Sequence, residues 1–226
     1  MSMSQQESVA CPSCAETFDV TVWASLNSNM DPDAAEQLRT GRLFEAVCPH
    51  CGETFQLNYP ILFHDMTQGV MVQYTASEEE EVIKRYLAGF KEQQEMFSKL
   101  SMPIKRQYRI VARKPDLFEK AVIFNAGLDD RIVEIMKVFA VGQITDQLGD
   151  RMPDEVFYFR EPNAEGFMLL RQTENGMEQI GHIPFSRAIY DWVKQGFKHE
   201  EDAGCFISTS WASWYLEKHQ QDFAGE

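Results

Sequence analysis

Positive charge is scarce at the start of this chain: residues 1–76 hold two arginines and no lysine against nine acids, a net −7. Such a segment repels polyanions such as duplex nucleic acid. Bases collect in the middle, where residues 77–150 carry twelve against thirteen acids, and residues 151–226 return to −6, for −14 overall. No apolar run approaches the eighteen or so residues of a membrane-spanning helix. Met1 to Ser8 has neither the basic nor the apolar region of an export signal, so the expectation is a cytoplasmic protein with no membrane attachment. Also missing are a Gly-rich phosphate loop, a nucleophile set beside a base, and any low-complexity tract. The apolar fraction of 44 % is ordinary, and 226 residues suffice for one large domain or two small ones.

Cysteine is also sparse, at five residues, yet four of the five stand as Cys11-Pro12-Ser13-Cys14 and Cys48-Pro49-His50-Cys51, with thirty-three residues between Cys14 and Cys48. Each C-x₂-C unit puts two thiolates on one tight turn, and two such turns complete a tetrahedral shell of four sulfurs for a structural Zn²⁺. Without an export signal, reduced metal-bound thiols are favoured over a disulfide framework. Redox chemistry and iron–sulfur ligation compete with zinc. A redox Cys-Pro-x-Cys begins a helix whose N-terminus lowers the first thiol's pKa, whereas both knuckles here are followed by β-like sequence. Four thiolates and one Zn²⁺ would add a further −2 to an acidic segment.

After the first knuckle, Phe18, Val20 and Val22 alternate with polar residues, which predicts a strand over 17–23. Asp31-Pro32 suits an N-cap and first-turn proline for a short helix running to Gly41. Residues 43–47 lead back as a strand into the second knuckle. Residues 54–59 and 70–74 read as further strands, joined through Pro60 to Met66. Ser77 and Glu80 form a capping-box pattern for a long helix over 77–101, with Val82, Ile83, Tyr86, Leu87, Phe90, Phe97 and Leu100 on its apolar face. A strand over 107–113, a helix over 115–125 ending at Gly127, and a helix over 130–141 capped by Asp129 follow. The polar stretch 142–153 is the candidate boundary. Beyond it come strands over 155–160, 166–173 and 177–183, the last two joined at Asn175-Gly176, and a helix over 185–195. Residues 203–218 are aromatic-rich and helical at their end.

Several stretches besides the cysteines give the first 140 or so residues a family resemblance. They include Val22-Trp23, Asn27, Asp31-Pro32, Leu38 to Gly41, Cys48-Pro49-His50-Cys51-Gly52 and Pro60-Ile61-Leu62-Phe63-His64-Asp65. Gly127-Leu128-Asp129-Asp130-Arg131, with Glu134 and Lys137, completes the set. The segment resembles the CpXC family of bacteria and archaea, which is named for its paired motifs. The resemblance implies a metal-binding tetrad and supplies no reaction. Ala15 stands where zinc knuckles often carry glycine, which implies a slightly strained first turn.

The remaining candidates have plain structural readings. His64 and Asp65 invite general-base or metal chemistry, but neighbours on an extended segment point to opposite faces. Asp129, Asp130 and Arg131 could hold a phosphate or metal, or simply cap a helix with a surface pair. Lys105, Arg106, Arg109, Arg113 and Lys114 form the one acid-free basic stretch and could touch an RNA backbone, or pair with nearby acids. His50 reads as exposed, Cys205 as an inert core thiol, and Trp211, Trp214 and Tyr215 as packing. The chain is therefore expected to be α+β. A β-rich zinc-ribbon-like domain with a helical insert and long helix spans 1–150, and a smaller mixed domain spans 151–226. The expected role is a non-enzymatic, zinc-stabilised module that binds another protein. The alternatives are a nucleic-acid role for the Lys105–Lys114 strand and an enzyme site around His64 and Asp65.

Overall fold

The computed structural model describes residues 1–99, 107–149, 151–198 and 204–223. Its fold is mixed α+β, with six α-helices and three sheets among those residues. The chain gathers into two compact units, Met1–Ala121 and Val122–Glu226.

In the first unit, β1 (Met3–Ala10) pairs antiparallel with β2 (Thr17–Asn27), and the first cysteine knuckle is the turn between them. Nothing in the polar run of β1 alternates, and seven of its eight residues are exposed; its pairing comes from the knuckle, which returns the chain alongside β2. Next comes α1 (Pro32–Arg39), with Pro32 in its first turn as expected. Asp31 holds the cap position without a side-chain bond. Gly41, at φ +76°, then reverses the chain into a short 3₁₀ turn, Arg42–Phe44. The strand expected over 43–47 thus shrinks to β3 (Glu45–Val47), because Leu43 and Phe44 turn into the core. β3 pairs with β4 (Thr54–Gln56) across the second knuckle.

The segment expected merely to join two strands is itself a strand, β5 (Ile61–Asp65), because Ile61, Phe63 and Asp65 alternate onto a buried face. It lies parallel to the end of β2 and antiparallel to β6 (Val70–Tyr74). With β7 (Gln107–Val111) parallel to β6, the sheet order is β1-β2-β5-β6-β7. α2 (Glu80–Lys99) starts three residues later than the capping-box pattern indicated, since the Ser77 hydroxyl accepts from the Glu79 N–H instead. Phe90 packs on Tyr108 of β7, with ring centroids 4.9 Å apart. The remainder of the expected helix, from Leu100, and the basic pair Lys105-Arg106 lie outside the described residues. Phe44 centres the core, its ring 4.8 Å from Tyr59, 5.8 Å from Tyr74 and 5.9 Å from Phe118.

α3 (Lys114–Asn125) crosses from the first unit into the second and ends at Gly127 (φ +69°), whose N–H reaches the Phe124 carbonyl. In the second unit α4 (Asp130–Leu148) runs on through most of the stretch expected as a domain boundary. β8 (Glu155–Glu161), β9 (Ala164–Thr173) and β10 (Gly176–Pro184) form an antiparallel sheet in the order β10-β9-β8. Gly166 is required there, since a Cβ would meet the Ile183 carbonyl oxygen at 2.4 Å. α5 (Arg187–Gly196) and α6 (Thr209–Lys218) follow, capped by the Ser186 and Ser208 hydroxyls. Among the described residues no helix is long and apolar enough to cross a membrane.

Candidate metal centre

The two knuckles have one geometry. In the first, the Cys11 N–H donates to the Glu16 carbonyl at 2.9 Å and the Ala15 N–H to the Cys11 carbonyl at 2.9 Å. In the second, Cys48 donates to Glu53 at 2.8 Å and Gly52 to Cys48 at 2.9 Å. Both turns need a left-handed residue after the second cysteine. Gly52 supplies it at φ +76°, and Ala15 adopts it at φ +61°, at a cost of about 1–2 kcal/mol for a residue with a Cβ. The strain expected at Ala15 is therefore present in its backbone.

The sulfurs converge. Cys11 Sγ lies 3.6 Å from Cys51 Sγ, Cys14 Sγ lies 3.7 Å from Cys48 Sγ, and all four fall within 4.8 Å of one another. Disulfide sulfurs would be about 2.05 Å apart. Four sulfurs each about 2.3 Å from one ion at tetrahedral corners lie about 3.8 Å apart. The set therefore fits a single tetrahedral ion. Cys11 and Cys48 are buried, Cys14 is half-buried and Cys51 exposed, so the site sits at the surface with its inner pair covered.

Backbone N–H groups aim at the sulfurs, as a thiolate site requires. Burial raises the Cys11 thiol, but the N–H groups of Cys14 and Ser13, with the Cys51 and Cys14 thiols, bring it down to about 7. The Glu53 N–H pulls Cys51 down, yet desolvation and the three neighbouring thiols push it up to about 12. Four sulfurs this close cannot all ionise without a cation among them.

The other candidates are distributed elsewhere. On β5, Asp65 is buried and His64 half-buried, on opposite faces. Asp65 accepts the Gln68 N–H at 3.0 Å and so ends the strand in a turn. Asp129 caps α4 by accepting the Arg131 N–H at 3.0 Å, and its carboxylate takes the Arg131 guanidinium at 2.6 Å. That pair was expected on the surface. Its side chains are 12 % and 21 % exposed, because Arg131 lies over the Phe197 ring, 5.1 Å from its centroid. Asp130 is fully buried.

The described bases of the middle stretch are engaged with protein. Arg109 is 4 % exposed and donates to the Tyr108 carbonyl and the Gln107 amide oxygen. Arg113 forms a two-pronged pair with Asp116. Lys114 donates to the Leu57 carbonyl and lies 5.2 Å from the Phe44 ring centroid, and burial lowers its pKa. Cys205 is half-buried rather than in the core, and His50 is exposed as expected.

Glu134 and Lys137 carry part of the family resemblance, but the sequence alone gives them no place in the fold. Both are nearly inaccessible on α4, joined at 3.1 Å, and Glu134 also accepts from the Thr209 hydroxyl at 3.0 Å. The signal was the spacing of Asp130, Glu134 and Lys137, which puts three charged residues on one helix face.

The chain matches no curated protein and no solved structure. Residues 9–137, more than half of it, match the family model described as CpXC protein. That span runs from just before the first knuckle to Lys137. The chain belongs to the CpXC family.

Proposed function

We propose that this protein is a zinc-stabilised, non-enzymatic module of the cytoplasm whose work is to bind another protein. The observation that carries the reading is the closed set of four sulfurs within 4.8 Å. Four protein ligands leave a tetrahedral ion no open position for water or substrate, so the ion's contribution is to the fold. Zinc is favoured because it suits an all-thiolate tetrahedral site and needs no redox partner. A reducing compartment keeps the thiols available to it. Two hairpins, each tipped by a knuckle, support a zinc-ribbon reading of the first unit. Each knuckle leads into a strand, β2 or β4, rather than a helix, which removes the helix N-terminus that a redox Cys-Pro-x-Cys uses. The engagement of Arg109, Arg113 and Lys114 with protein groups also favours a protein partner over a nucleic acid.

The test is metal analysis of the purified chain, followed by affinity capture with the intact protein and with Cys48→Ser. The reading requires about one equivalent of zinc, and a specific protein partner that is lost with the metal. Less than half an equivalent of zinc, or a catalysed reaction that survives Cys48→Ser, would overturn it.

A further inference from the structure

Among the described residues of the first unit, two of the strand edges without a neighbouring strand face each other. β1 zips along one edge of β2 from Thr17 to Ser25, but β5 meets the other edge only at Ser25, Leu26 and Asn27. Among the described residues, the β5-side edge of residues 17–24 therefore carries no strand. β3 pairs with β4 on one side, and its other edge is likewise open.

A cleft of about 410 Å³ lies between these two edges. Its walls include Asp19, Val20 and Thr21 from β2, and Glu45, Ala46 and Val47 from β3. Consecutive strand residues point to opposite faces, so a wall built from consecutive residues is a strand seen edge-on. Each wall presents a strand edge that carries no neighbouring strand among the described residues; on the β2 side the Trp23 backbone is already taken by the Tyr59 hydroxyl, which leaves the edge over residues 17–22. Leu43 and Leu57 add apolar lining, and the volume is within the usual range of about 300–1,000 Å³ for binding sites.

Open edges are normally blunted with lysine, proline or a bulge, because they otherwise recruit strands from other chains. Residues 17–24 and 45–47 contain neither lysine nor proline. Their charged residues are Asp19 and Glu45, both exposed, and among the described residues neither forms an ion pair. Arg42 also lines the cleft, with its Nε on the Thr40 hydroxyl. The surrounding segment, residues 1–76, carries −7.

We infer that this cleft is a docking groove for an extended, lysine- or arginine-bearing segment of a partner protein, which adds as a strand between the open edges of β2 and β3. Backbone pairing would supply the affinity, the apolar lining would accept alternate side chains, and Asp19 and Glu45 would select for positive charge. The inference rests on the protein-binding reading and names the surface for it.

The experiment uses the intact metal-loaded chain and three octapeptides: one alternating valine with lysine, one with glutamate in place of lysine, and one with the lysines kept but two valines changed to proline. Backbone amide NMR shifts are followed at low salt. The lysine peptide is expected to give saturable shifts concentrated in residues 17–22 and 45–47. The glutamate and proline peptides should bind at least about tenfold more weakly. Asp19→Lys combined with Glu45→Lys alters exposed side chains and should reverse the charge preference while zinc content and melting temperature stay as they were. Absence of saturable shifts, equal binding of the proline peptide, or indifference to the double charge reversal overturns the groove. So does a concentration-dependent homodimer that covers the same amides. A partner captured equally well by the charge-reversed protein would sink the groove and leave the protein-binding reading standing; no partner at all would sink that reading.

Discussion

Replacing Cys48 by serine should take the metal out of the tetrad and loosen the first unit in a defined order. Cys48 is 1 % exposed and lies 3.7 Å from Cys14 across the site, so serine there removes an inner ligand. A metal held by the tetrad would tie Cys14 to Cys48 across thirty-three intervening residues. Closing a loop of about 35 residues removes about 4 kcal/mol of entropy from the unfolded chain. That is a large share of the roughly 5–15 kcal/mol that holds a domain folded. For a unit of this size each kcal/mol corresponds to about 4 °C, so the melting temperature should fall by about 10–20 °C.

Local effects should be uneven. β3 and β4 pair through only three residues each, and an isolated hairpin of that length is marginal. Hydrogen exchange should therefore become fast at Ala46, at position 48 and at Phe55 while Phe63 and Val72, in the five-stranded sheet, retain most of their protection. Chelating the metal from the unaltered chain should reproduce both results. A shift of less than about 3 °C, or equal loss of protection at Phe55 and Val72, would show that the tetrad does not hold the hairpins.

Three further outcomes are expected. Ala15→Gly relieves the left-handed strain of the first knuckle and should stabilise the metal-loaded protein by about 1 kcal/mol in urea titration, whereas Gly52→Ala at φ +76° should cost a similar amount. Lys137→Met leaves Glu134 buried without its 3.1 Å cation and should cost about 3–5 kcal/mol, while the double change Glu134→Gln with Lys137→Met costs much less than the two single changes together. Metal affinity should fall with pH: each sulfur must shed its proton to bind, and neighbouring thiols hold Cys51 up to about 12. Acidification restores competing protons, so the apparent dissociation constant should rise about tenfold per pH unit for each proton displaced, as read by competition with a chromophoric chelator at pH 8 and pH 6.

Much of the helical punctuation was legible because its chemistry is local. Pro32, Asp129 and Gly127 each act within one turn of chain, and all three sit at the helix ends expected of them. Ser77 misled because its hydroxyl took the nearer Glu79 N–H, leaving the helix to start at Glu80. In β5, Ile61 and Phe63 alternate with period two, but two apolar positions between Pro60 and His64 are too short a pattern to mark a strand without its neighbours.

By itself the sequence determined the tetrad: two C-x₂-C turns place two sulfurs each through bonds that span five residues. It also determined the strain at Ala15, which follows from a turn that needs positive φ. Only the tertiary structure decided that the turns would meet, bringing sulfurs forty residues apart to 3.6 Å. It likewise turned the polar run Met3–Ala10 into a strand, buried Asp130, Glu134 and Lys137, and left the edges of β2 and β3 open. Pairing partners, burial and unpaired edges are relations between distant segments, and no window of local sequence contains them.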